Sequence, residues 1–101
     1  MLVLVVAVVL LHGTVTIGPT TPVCKAGVPC TKPAAHVTLT FVRAGRTLRA
    51  ATDGLGHYRI ALPAGTWRVR ASAGMRMAPT SIVVPSARTA RRDFAIDTGI
   101  R

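Results

Sequence analysis

Residues 52–69 read TDGLGHYRIALPAGTWRV, and this stretch decides the fold. Asp53-Gly54-Leu55-Gly56 reads as a turn. Aspartate accepts hydrogen bonds from the backbone amides just ahead of it, and glycine tolerates positive φ. Tyr58, Ile60 and Leu62 then alternate with His57, Arg59 and Ala61. Such alternation marks a half-buried strand. Pro63-Ala64-Gly65 turns the chain again, and Trp67, Val69 and Ala71 alternate with Thr66, Arg68 and Arg70. Asp53, Gly54, Gly56 and Gly65 are therefore expected as structural turn residues.

The same period extends in both directions. Upstream, Val15 and Ile17 alternate with Thr14 and Thr16. A long loop over 18–35 holds Pro19, Pro22, Pro29 and Pro33 and both cysteines. A strand over 36–43 places Val37, Leu39 and Phe41 on one face and Thr38 and Thr40 on the other. Ala44-Gly45-Arg46 makes a tight turn into a short strand over 47–52, with Leu48 and Ala50 inward. Downstream, 74–79 reads as a loop. The last two strands are expected at 81–84 and 88–97, the latter with Phe94 and Ile96 inward. No helical period is visible. About seven short strands with turn signals between them predict an all-β sandwich.

A chain of 101 residues makes one domain. Half of its residues are hydrophobic, which excludes a disordered tail, but only 4% are aromatic. The core must be built mainly from Val, Leu, Ile and Ala. Thirteen Lys and Arg stand against three acids, all Asp, for a formal charge of +10. That balance attracts polyanions. It also fits a solvated basic surface with no dedicated partner, as an Ala-, Arg- and Gly-rich composition produces.

Cys24 and Cys30 lie six positions apart in the proline-rich loop. The spacing is neither a CxxC redox motif nor a zinc pattern. A local disulfide is the simplest use of the pair. It would contribute about 2–3 kcal/mol in the chain-entropy model, and it implies an oxidising compartment.

Residues 2–11 form an unbroken apolar run. It is shorter than the about 20 residues that span a bilayer as a helix. It fits the apolar region of a signal peptide, although no basic residue precedes it and no A-x-A site follows. The expected organisation is an apolar leader over 1–11, with its true start upstream of Met1, and a domain over 12–101. The alternative is a buried first strand. Secretion or attachment to the cell envelope follows from the leader reading, and any membrane contact is expected only through this segment.

The quoted stretch resembles the carboxypeptidase regulatory-like domain, a transthyretin-like or prealbumin-like fold. That family's pattern is T-D-x-x-G-x-[YF]-x-[IV]-x-L-x-x-G-x-[YFW]-x-[VI]. Thr52, Asp53, Gly56, Tyr58, Ile60, Leu62, Gly65, Trp67 and Val69 match it. Gly13-Thr14-Val15 resembles the family's opening strand, which often begins G-x-V. The cysteine loop and the closing FAIDTGIR resemble small secreted bacterial members of unknown role. The resemblance implies a seven-stranded Greek-key sandwich with a non-catalytic accessory role. Related sandwiches bind carbohydrate, which is an analogy at the level of the fold.

The motifs for chemistry are missing. A hydrolase needs a nucleophile and a base within reach of each other. His36 and His57 fall on outward faces with no orienting acid beside them, and His12 stands at the start of the domain. Hydroxyisourate hydrolase, an enzyme of the transthyretin fold, ends in a Tyr-Arg-Gly-Ser-type tail. This chain ends Asp97-Thr98-Gly99-Ile100-Arg101, so none of that family's residues carries over. Isopeptide formation of the adhesin kind needs Lys, Asn or Asp, and a buried acid. Here Lys25 and Lys32 lie in the loop, with no Asn and no Glu in the chain. Calcium needs several oxygen ligands, and Asp53 stands alone. No phosphate loop, nucleotide motif or zinc pattern implies a cofactor or a metal.

One surface has a possible purpose. Arg59, Arg68 and Arg70 all point outward, and a hairpin at residues 63–65 would set Arg59 near Arg68 or Arg70. Like charges opposed on a sheet are unfavourable by up to about 1 kcal/mol, and a bound anion would offset this. Arg59, Arg68 and Arg70 are thus a candidate anion-binding face for carbohydrate or acidic envelope polymers. No aromatics interleave with them, which argues against stacking on nucleic acid.

Overall fold

The structure, a computed structural model, describes residues 8–19, 27, 30–74 and 76–99. Strands are its only regular elements. They are β1 (Val8–Gly18), β2 (Lys32–Pro33), β3 (Thr38–Arg43), β4 (Arg46–Ala51), β5 (His57–Pro63), β6 (Gly65–Ala71), β7 (Arg76–Ala78), β8 (Ser81–Val84), β9 (Thr89–Arg91) and β10 (Phe94–Asp97). One sheet is built around β1, with β5 and β2 on one side, β9 and β10 on the other, and β7 beyond β10. The second runs in the order β4-β3-β6-β8. The protein is an all-β sandwich.

Each expected strand is present, and the differences have local causes. The strand expected over 88–97 is broken into β9 and β10 at Arg92-Asp93. Both halves run parallel to β1 without a change of register, Leu10 to His12 facing Thr89 to Arg91 and Val15 to Gly18 facing Phe94 to Asp97. Short strands also form inside the two expected loops. β2 pairs Lys32 with Ile17 and Pro33 with Thr16, and β7 lies along β10. These segments are too short for a period to show in the sequence. His36 is not in a strand. It has a φ of 56° in the turn before β3.

The expected boundary at residue 12 falls inside β1. Val8 to Leu11 pair with Pro63 to Ile60, and Val9 and Leu11 are buried. These four residues are strand because their alternation meets the core on one face. The rest of the apolar run, with its leader reading, lies outside the described residues.

The core follows the alternation. Leu11, Val15, Tyr58, Leu62, Phe94 and Ile96 from the first sheet meet Leu39, Phe41, Trp67, Val69, Ile82 and Val84 from the second. Phe41, Tyr58 and Phe94 form a tilted aromatic cluster with centroids 5.7–6.4 Å apart. Thr52 is buried with both hydroxyl roles used. Its Oγ1 donates to the Ala34 carbonyl at 2.5 Å and accepts from the Val37 N–H at 2.8 Å.

Candidate functional site: the basic outer faces

β5 and β6 do not form the hairpin expected from their sequence. β5 pairs with β1, while β6 pairs with β3 and β8. The residues 63–65 carry the chain from one sheet to the other as an arch. Three contacts fix it. Trp67 Nε1 donates to the Pro63 carbonyl at 3.0 Å, and Arg43 Nη1 donates to the Ala64 carbonyl at 2.7 Å. The Arg43 guanidinium lies 5.9 Å from the Trp67 ring centre, within cation–π range. Gly65 has a φ of 139°, and a Cβ there would collide with that guanidinium. The arch lets Leu62 and Trp67 face each other across one core instead of sharing one sheet.

The arch also divides the expected basic face. Arg59 lies in the row Arg59–His12–Arg91 on the outside of the first sheet. Arg68 and Arg70 lie on the outside of the second, opposite Val42 and Thr40. Arg59 is thereby kept from opposing Arg68 or Arg70. The residue that joins Arg68 and Arg70 is Arg49, which faces Thr40 from β4 while Arg70 faces it from β6. Arg49 and Arg70 are two strand spacings apart, about 10 Å. Alternation beside inward Leu48 and Ala50 points Arg49 outward, but sequence does not say which strand adjoins β4.

The two faces differ in charge. Every acid of the chain belongs to the first sheet or to the turn before β5. The second sheet carries Arg43, Arg46, Arg49, Arg68 and Arg70 and no carboxylate. Arg49, Arg68 and Arg70 have no hydrogen-bond or ion-pair partner among the described residues. On the first sheet Arg91 pairs with Asp93 at 3.2 Å.

All three acids fold back onto backbone amides. Asp53 Oδ1 accepts from Leu55 and His57, Asp93 Oδ1 from Thr14, and Asp97 Oδ1 from Gly99. The His57 and Leu55 amides hold the Asp53 carboxyl below its usual range. The Thr14 amide, with Arg91 adding, does the same for Asp93. The acid nearest His57 is Asp53. The His57 Nδ1 is 3.9 Å from Asp53 Oδ2, too far for a hydrogen bond. Tyr58 is pushed well above its usual range, first by burial and then by the Asp93 charge.

Among the expected turn residues, Asp53 accepts from the amides of its own turn, and Gly56 has a φ of 78° with its Cβ position against the Val15 carbonyl. Gly54 is different. It sits in open space and does not need the left-handed region. Cys30 is not a free thiol, and Cys24 lies outside the described residues, as does Lys25. Among the described residues no three His, Cys, Asp or Glu side chains converge as metal ligands.

Two packed sheets, an apolar interior and turns held by their own side chains define a β-sandwich module. The model of the carboxypeptidase regulatory-like domain matches residues 11–97, and the chain belongs to that family. No curated protein and no solved structure matches it.

Proposed function

We propose that this chain is a non-catalytic accessory module, secreted or attached to the cell envelope, with a Cys24–Cys30 disulfide closing its proline-rich loop. One observation carries the non-catalytic part. The chain has three acids, and each is engaged by backbone amides in holding a turn or a ladder. None stands ready to orient a base. Hydroxyisourate and simple aryl esters are the substrates to test. Turnover that disappears on replacing His12 or His57 would overturn the reading. For the compartment, intact mass with and without reductant should differ by two hydrogens, and equal masses would remove the main support for an oxidising location.

A second reading is favoured by the acid-free face of the β4-β3-β6-β8 sheet. Arg49, Arg68 and Arg70, set among threonines, suit an acidic polymer of the envelope or an acidic carbohydrate. Binding should weaken steeply as salt rises. Replacing all three with Gln should abolish it, whereas Arg59→Gln on the opposite sheet should not.

A further inference from the structure

The fourth strand of the acid-free sheet is shorter than the third. β8 pairs with β6 only from Gly65 to Arg68. The last contact at the junction is the Val69 N–H donating to the Thr80 carbonyl at 2.9 Å. On this edge of β6, away from β3, no ladder partner continues past this point among the described residues. The shortfall leaves a notch made of two adjoining depressions of about 380 and 530 Å³, which share Val69, Arg70 and Thr80. One extends towards Ala71, Ala73 and Arg76, the other towards Arg68 and Ser81. No carboxylate lines either. Asp97 faces Arg76 from β10 but turns its Oδ1 to the Gly99 amide.

We propose that this notch seats one acidic sugar unit of a linear polysaccharide. The inference rests on the polyanion-binding reading above and specifies its ligand. Arg70 and Arg76 are exposed guanidinium groups with no partner among the described residues. Such groups grip a carboxylate or sulfate through paired N–H donors. The Thr80 and Ser81 hydroxyls donate to and accept from ring hydroxyls. Ala71 and Ala73 are half-buried against the core at the end of the notch, and what they leave exposed is the apolar surface for the C–H face of a sugar ring. Arg68 and Arg49 lie further out on the same face and meet the next anionic units. A flexible phosphate chain would use the arginines and accept from the hydroxyls, but it has no hydroxyl to donate back and no C–H face for the methyls.

The test compares the full chain and its variants at low ionic strength. The probes are a uronic acid tetrasaccharide, inorganic polyphosphate and neutral dextran. The tetrasaccharide should bind and dextran should not. Arg70→Gln and Arg76→Gln should each weaken tetrasaccharide binding by about tenfold or more, the factor one charge-assisted hydrogen bond commands. Arg59→Gln should leave it unchanged. Thr80→Val should weaken the tetrasaccharide more than polyphosphate, since only the sugar loses both a donor and an acceptor. Full affinity in Arg70→Gln and Arg76→Gln, with loss only in Arg49→Gln and Arg68→Gln, would overturn the notch and leave the face reading standing. Equal effects of Thr80→Val on both probes would overturn the sugar assignment. No binding of either acidic probe would remove the face reading itself.

Discussion

The Tyr58 hydroxyl donates to the Arg92 carbonyl at 2.5 Å, reaching across β1 at Gly13. Gly13 pairs directly with Tyr58. On its other side the break between β9 and β10 turns the Arg92 carbonyl towards the core, into the space a Gly13 side chain would fill. Asp93 completes the repair by accepting the Thr14 N–H at 2.9 Å, a donor the broken ladder leaves over. Three residues far apart in sequence thus make one interruption tolerable.

Tyr58→Phe should destabilise the fold by about 1–3 kcal/mol, since it leaves a part-buried carbonyl without its donor while keeping the ring. Urea unfolding measures this. A loss below a few tenths of a kcal/mol would mean that water replaces the hydroxyl.

Alkaline pH should unmask the same contact. The folded pKa of Tyr58 is raised above its ordinary value of 10.0. Below pH 10 both states keep the proton, so no stability is lost there. Above it the unfolded chain ionises first, and stability falls with rising pH. Tyr58 is the only tyrosine, so absorbance of the phenolate should appear together with unfolding. Tyr58→Phe should flatten this alkaline limb of the stability curve.

Glycine substitutions should divide sharply. Gly13→Ala drives a methyl group into the Arg92 carbonyl, and Gly56→Ala combines a left-handed φ with a clash on the Val15 carbonyl. Each should cost several kcal/mol, on the order of 3 or more. Gly54→Ala should stay within about 0.5 kcal/mol, because its Cβ would meet nothing. Thermal melts of the three variants give the comparison.

Ala44→Asn should stabilise the β3–β4 hairpin by about 0.5–1 kcal/mol. Ala44 and Gly45 have φ of 44° and 81° between the paired Arg43 and Arg46. This is a two-residue turn with both central residues left-handed, where Asn-Gly is the favoured pair. A lower melting temperature would show that Ala44 makes a contact that Asn cannot keep.

Acid should loosen the turn before β5. The folded pKa of Asp53 lies below its ordinary value of 3.8. Its stabilisation is complete above that value and is lost as pH falls through the folded pKa. Asp93 adds to the same limb. Asp53→Asn should therefore show a shallower decline in stability below pH 4 than the parent chain.

Sequence alone determined the longer strands and where the chain turns around residues 52–69, but not β2, β7 or the break at Arg92-Asp93. Alternation is a local property, set by which side of a pleat each residue occupies. Tyr58, Leu62, Trp67 and Val69 could be assigned to the core, and Arg59, Arg68 and Arg70 to the outside, because those assignments need no knowledge of neighbours. The family pattern was legible for the same reason, since it records those turns and faces. Tertiary structure alone decided which strands lie side by side. Arg59 parted from Arg68 and Arg70 because an arch and a hairpin can share the sequence Pro63-Ala64-Gly65. The choice rests on the Arg43 and Trp67 contacts and on a core that needs both sheets. Arg49 and Thr40 became neighbours of Arg70, and Tyr58 a partner of Arg92, through pairings between distant segments that no local period encodes. The notch beside Arg70 arises in the same way, because it depends on where β8 stops relative to β6.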